Sequence, residues 1–244
     1  METEFLYGIH PVIETIKAKR RDIFKIYIEN KNQQRFEKIV QLAQSLNIKV
    51  NTVKTDVLTA INKTKAHQGI CAKTSPFPLS KLDELLESKN NLFVIIDNIV
   101  DPQNLGAIIR TALCASVDGI IIPKDRAASP TPTVSKVSAG ALEHIKLAKV
   151  TNLVSVIKKL KEKNIWVAAM DMDGDTSVFD ADLTVPLAIV IGSEELGVRH
   201  LVRKNSDFTI SIPINAKLNS LNASAAAAIA IYEAYRQRKS LHRI

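Results

Sequence analysis

Leu92-Phe93-Val94-Ile95-Ile96 is an apolar run with no polar interruption, and comparable strand-like runs return at Gly119 to Ile122, Ile165 to Met170 and Leu187 to Ile191. A strand with one face in water alternates polar and apolar residues. A strand that is apolar at every position has both faces covered, which is the situation in parallel sheets flanked by helices. Segments with helical spacing fall between these runs: about Asn104 to Ala115, near Val134 to Ala139, and Asn152 to Lys161. Phe208 to Ile212 adds another strand, and a long helix from Asn219 or Leu221 to Arg238 closes the pattern. Five or six strands separated by helices predict a mostly parallel, doubly covered α/β sheet.

The first third of the chain is a smaller unit of the same class. A helix over Gly8 to Lys19 presents Val12, Ile13 and Ile16 on one face, and Ile23, Phe24, Ile26 and Ile28 follow as a strand. Gln33 to Leu46 reads as a helix, Ile48 to Val53 as a strand, Val57 to Ile61 as helical, and Ile70 to Ala72 as a strand. Thr74-Ser75-Pro76-Phe77-Pro78-Leu79 is stiffened by two prolines and suits a connector. Ser80 is positioned to cap a helix through Leu86. The expected organisation is residues 1–73 as one domain, 74–79 as linker and 80–244 as a second domain.

Charge separates the two parts. Residues 1–79 hold 13 basic and 7 acidic side chains, so this third carries six of the eight excess positive charges. Such a surplus suits a module that attracts phosphates, and equally a well-solvated small domain. The two cysteines, Cys71 and Cys114, sit in apolar stretches without Cys-x-x-Cys spacing, and buried reduced thiols of a cytoplasmic protein are the expectation. The first residues, with Glu2 and Glu4, lack the character of a signal peptide. The longest apolar run, Ala225 to Ile231, is far short of a membrane span, so no membrane is expected. The five histidines are scattered, and no His or Cys pair has ligand spacing; no metal is expected.

In an open α/β sheet, ligands bind beyond the carboxyl ends of the strands. Three polar segments fall there: Asp97 to Gly106 leading to Arg110, Gly192 to Gly197, and Ile212 to Asn222. Each has a plainer reading. Gly106 can serve helix packing, Arg110 can be a solvated helix residue, and Ser220 and Asn222 can cap the last helix. The alanine run can be helix filler or a close-packed face. No Gly-x-Gly-x-x-Gly fingerprint, Walker sequence or Gly-x-Ser-x-Gly elbow is present.

These blocks resemble the SPOUT superfamily of knotted RNA methyltransferases. The likeness runs through Tyr7-Gly8-Ile9-His10, Ala66-His67-Gln68-Gly69-Ile70, Asp101-Pro102-Gln103-Asn104-Leu105-Gly106-Ala107 with Arg110, and Ile122-Pro123-Lys124-Asp125-Arg126. It continues through Ser138-Ala139-Gly140-Ala141-Leu142-Glu143, Gly192-x-Glu194 and Ser220-Leu221-Asn222-Ala223-Ser224. The branch is the TrmH-like 2'-O-ribose one, and within it the sequence is most similar to bacterial enzymes that methylate a guanosine of 23S ribosomal RNA.

The resemblance implies an α/β fold whose C-terminal SPOUT domain threads a deep trefoil knot, an exception to the rule that chains do not thread loops. It also implies an L30e/L7Ae-like N-terminal α/β domain that binds ribosomal RNA, S-adenosylmethionine as methyl donor, and a homodimer that completes the site. Arg110, Asn104 and Glu194 take the catalytic positions; Gly192, Ile212, Leu221, Ser220 and Asn222 take the donor-binding ones. Two positions depart from the family pattern: Ala216 stands where relatives usually have glycine, and Glu195 follows Glu194 where glycine is common. A transfer-RNA methyltransferase and an RNA-binding protein without catalysis are the competing readings.

Overall fold

The structure, a computed structural model, describes residues 2–31, 33–215 and 220–241. Two compact units divide the chain: Met1–Pro78 with Ser129–His144, and Leu79–Ala128 with Ile145–Ile244.

In the first unit the order is β1 (Glu4–Tyr7), α1 (Ile9–Ala18), β2 (Ile23–Glu29), a 3-10 turn (Gln33–Phe36), α2 (Glu37–Ser45), β3 (Val50–Val53), α3 (Thr55–Asn62) and β4 (Ile70–Thr74). The sheet order is β1-β4-β2-β3, with β4 antiparallel to both β1 and β2, and β3 parallel to β2. Alternation along β2 turns Ile26 and Ile28 inward, where they meet Val12 and Ile16 of α1 and Ile39 and Ala43 of α2. The predicted strand start at Ile48 moves to Val50, because Ile48 closes the turn after α2 by donating its amide to the carbonyl of Ala43. His67 sits in the turn before β4 as a structural residue. Its Nδ1 accepts the Gly69 amide at 3.0 Å, so Nε2 carries the proton and meets the Thr59 hydroxyl at 3.1 Å.

Onward come α4 (Leu82–Leu85), β5 (Leu92–Ile96), α5 (Pro102–Cys114), β6 (Gly119–Pro123), α6 (Pro132–Val137), β7 (Lys146–Val150), α7 (Leu153–Glu162), β8 (Trp166–Met170), β9 (Thr176–Ser177), β10 (Leu187–Ile191), α8 (His200–Asn205), β11 (Phe208–Ser211) and α9 (Ala223–Leu241). The second unit's sheet runs β7-β6-β5-β10-β8-β11-β9, and every adjacent pair is parallel. β5 and β10 are buried at all five positions, as their uninterrupted apolar runs require. Ser80 does not cap α4. The cap position is Lys81, and the Ser80 amide instead donates to the carbonyl of Leu147 in β7, which keeps Ser80 extended. α5 begins at Pro102 because Asp101 caps it, accepting the Gln103 amide at 2.9 Å with proline at the first turn.

Cys71 is buried, but Cys114 is exposed, against expectation: it lies one turn beyond Arg110 on the outward face of α5. One face of α9 packs inward, with Ala223, Ala227, Ala230 and Ala234 buried where α9 runs against α5, while Ala225 of the alanine run is exposed. Among the described residues no helix is long and apolar enough to cross a membrane.

The segment Ser129–His144 holds a buried ion pair of the first unit. Arg21, with no exposed side-chain surface, forks onto Glu143 at 2.7 and 3.1 Å. Glu143 also accepts the Ser135 hydroxyl at 2.8 Å, and Arg21 pairs with Glu4. The Phe77 ring lies 5.1 Å from the Arg21 guanidinium carbon. A pair so enclosed is strongly destabilising if either partner is lost.

Candidate active site

β5 and β10 are neighbours, and the loops that leave their carboxyl ends meet. The ladder continues past the strands, since the Asp97 amide donates to the carbonyl of Ile191 at 2.8 Å. The Asp97 carboxylate is fully buried and accepts both the backbone amide of Arg199 (2.9 Å) and its Nε (2.7 Å). This pair ties the first loop to the segment before α8. Its only mark in the sequence is an aspartate at a strand's carboxyl end, with nothing to name its partner.

Gly192 begins the second loop. A Cβ at this position would lie 2.1 Å from the carbonyl carbon of Gly197, so the chain doubles back on itself in a space that admits no side chain. Gly197 adopts a φ of 60°, and its amide returns to the carbonyl of Ser193 at 2.9 Å. The Ser193 hydroxyl accepts the Leu196 amide at 3.3 Å.

Glu194, on this tight turn, joins three segments. Its Oε1 accepts Asn104 Nδ2 at 2.7 Å, Asn222 Nδ2 at 2.8 Å and the Ala223 amide at 3.3 Å. Asn222 Nδ2 also reaches Asn104 Oδ1 at 3.0 Å. Asn222 Oδ1 accepts the amides of Ser224 and Ala225 and the Ser224 hydroxyl, so the residue caps α9 as well. The carboxylate therefore sits at the positive end of a long helix, where negative charge is favoured. Among the described residues Glu194 Oε2 has no partner.

Beside this cluster is a cavity of about 470 Å³. Gly192, Glu194, Ile212, Ser220 and Leu221 line it, together with residues that sequence reasoning missed: Met170 at the end of β8, Asp171 and Asp173 just beyond it, and Arg203 of α8. Burial pushes the Asp171 carboxyl upward, but its ion pair with Arg203 and the Asp173 amide outweigh this and hold it below the ordinary carboxylate range. Asn104 and Asn222 adjoin the wall through Glu194. Arg110 is exposed and does not line this cavity, and its side chain makes no hydrogen bond or ion pair among the described residues. Ala216 lies outside the described residues. Glu195 is exposed and lines the cavity.

The sequence profile of the SpoU rRNA Methylase family matches residues 91–232, and one described as RNA 2'-O ribose methyltransferase substrate binding matches residues 5–80. The chain belongs to the SpoU (TrmH-like) family of RNA 2'-O-methyltransferases. It is 39% identical over 241 residues, 96% of each chain, to a Bacillus subtilis protein named putative TrmH family tRNA/rRNA methyltransferase YacO. It is 37% identical, again over 96% of each, to the Coxiella burnetii 23S rRNA (guanosine-2'-O-)-methyltransferase RlmB. The crystal structure of the SpoU methyltransferase AviRb from Streptomyces viridochromogenes, in complex with AdoMet, superposes with a TM-score of 0.83 at 26% identity. It covers 97% of this chain and 90% of that one.

The fold is thus that of the SPOUT trefoil-knot methyltransferases with an N-terminal α/β substrate-binding domain, and the AviRb structure holds the methyl donor S-adenosylmethionine. The cavity fits that donor. Its volume lies in the range of small-molecule sites. Met170, Ile191, Ile212 and Leu221 offer apolar wall, while Asp171, Asp173, Glu194 and Glu195 offer negative charge to a cationic ligand. The glycine turn at Gly192 leaves backbone bare against it. With the family established, the reading of an RNA-binding protein without catalysis falls away.

Proposed function

We propose that this SpoU enzyme methylates the ribose of a guanosine in 23S ribosomal RNA, in the cytoplasm, as a homodimer. The observation that carries this reading is the substrate-binding domain over residues 5–80, present ahead of the methylase domain here and, through a match along nearly the whole chain, in the Coxiella 23S enzyme. The name of the Bacillus relative leaves transfer RNA as the second reading.

Gly192, Ile212 and Leu221 hold the donor through backbone groups, and Ser220 and Asn222 complete the pocket. When bound, the donor supplies a methyl group on a positively charged sulfur. The rest of the reaction asks the protein to align a ribose 2'-hydroxyl and to take up its proton. Glu194 Oε2 is the acceptor with no competing partner, and Asn104 fixes the other oxygen of that carboxylate. A guanidinium stays charged in proteins, so Arg110 is no base. It orients the ribose phosphate or stabilises charge developing on the attacking oxygen. Because Arg110 stands outside the cavity of its own chain, a second copy of the chain is the natural source of the arginine for each site.

The reading is tested by offering the purified protein unmodified 23S transcript and bulk transfer RNA with labelled donor. Label entering the 23S transcript at one guanosine is expected. Label entering only transfer RNA would favour the second reading.

A further inference from the structure

One face of the first unit's sheet is packed against α1 and α2; α3 covers part of the opposite face, where Thr55 meets Glu29 and Asn62 meets the buried Cys71, and beyond α3 that face carries a row of like charges. Register sets Phe5 of β1 opposite Lys73 of β4, and Lys73 opposite Lys25 of β2. On the other side of β2, Ile26 pairs with Val50 and its amide donates to the carbonyl of Lys49, so Lys49 continues the row. Side chains alternate along each strand. Leu6, Ile26 and Ala72 are buried, and Val50 packs on the core, which turns Phe5, Lys25, Lys49 and Lys73 to the other face.

Adjacent strands lie about 4.8 Å apart, and like charges directly opposite one another destabilise a sheet. No carboxylate relieves them: among the described residues none of the three lysines has an ion pair or a side-chain hydrogen bond. Along β2 the carboxylate on this face is Glu29, two positions beyond Tyr27, and it accepts the Thr55 hydroxyl. In the next row stand Tyr7, Cys71 and Tyr27. Cys71 is buried, whereas Phe5 and Tyr27 are half-buried, their ring centroids 6.2 Å apart. The Lys25 ammonium lies 5.8 Å from the Tyr27 ring centre.

We infer that this face binds an unpaired stretch of the substrate RNA, with Lys25, Lys49 and Lys73 on successive phosphates and Phe5 and Tyr27 beneath a base. Three unrelieved cations in a line match a phosphate backbone. Half-exposed rings offer a stacking surface that a base can use only when it is not already stacked in a duplex. The inference rests on RNA being the substrate and is independent of which RNA it is.

The test measures affinity for unmodified substrate RNA across a salt series, with donor affinity and thermal melting as controls. Replacing Lys25 and Lys73 together by glutamine should weaken RNA binding by about 10-fold and lower the slope of log K against log salt by about 1.4, roughly 0.7 for each single-strand phosphate contact. Donor affinity should not change, and the melting temperature should not fall, since the substitutions remove a repulsion. Tyr27→Ala should weaken binding to RNA with unpaired nucleotides by roughly 5-fold or more. It should leave the salt slope and binding to a blunt RNA duplex unaltered. If the double variant does not fold, Lys49→Gln, at an exposed position, should alone lower the slope by about 0.7. Folded variants with wild-type affinity and slope overturn the inference, including the case in which an acidic protein covers the face. A wild-type protein that binds no RNA would instead strike at the RNA reading itself.

Discussion

An alanine methyl at position 192 would collide with the backbone of Gly197, and main chain cannot swing aside as a flexible side chain would. The turn that carries Glu194 and walls the cavity would have to open. Gly192→Ala should therefore weaken donor binding by about 10-fold or more in calorimetric titration. Arg110 makes the opposite case. Arg110→Ala should bind the donor as the wild type does but transfer methyl about 100-fold more slowly in single-turnover assays, close to 3 kcal/mol of transition-state stabilisation. Lysine should rescue little, because a point charge does not reproduce the guanidinium fork. Normal transfer by folded Arg110→Ala protein would remove Arg110 from the mechanism. Burial also pushes the Cys71 thiol up from 9.0 to about 11. The folded state then holds a proton that the unfolded state releases, so this contribution to stability is complete below pH 9 and is lost as pH rises toward 11. Cys71→Ala should flatten the alkaline limb of a stability profile.

Elements differed in how plainly the sequence announced them. β5 and β10 were legible to the residue, because strands covered on both faces are apolar throughout. β7 was not expected. It is an edge strand, and its Lys146-Leu147-Ala148-Lys149-Val150 mixes charge into a short run. α8 has six residues and β9 two, too few for any period to register. Pairing across long separations was equally hidden: Arg21 and Glu143 lie 122 positions apart, and nothing in local propensity links them. That pair has a consequence for any truncation. Glu143→Ala should cost the whole chain about 3–5 kcal/mol in denaturant unfolding by stranding a buried guanidinium. A fragment of residues 1–78, lacking 129–144, should be destabilised similarly, and supplying that segment through a linker should restore it. Unchanged stability of either would show that Arg21 is relieved by other means.

At the scale of the molecule, the cluster of Asn104, Glu194 and Asn222 was legible as residues but not as a hydrogen-bonded triad, since it depends on three loops converging across a sheet. Ala223, Ala227, Ala230 and Ala234 are spent on packing α9 inside the chain, while Tyr232 on the same helix stays exposed. The case for a dimer now rests on Arg110 standing apart from the cavity. Sedimentation should show a dimer at micromolar concentration, and mixing Arg110→Ala with Gly192→Ala protein should regain activity that neither has alone. Failure of both would place the whole site within one chain. Methylation of one 23S guanosine ribose is tested by mapping 2'-O-methylation across total RNA from cells with and without the gene. Without the gene, a single 2'-O-methylguanosine should disappear from 23S ribosomal RNA while transfer RNA is unchanged. Loss of a transfer-RNA methyl group with 23S intact would contradict it.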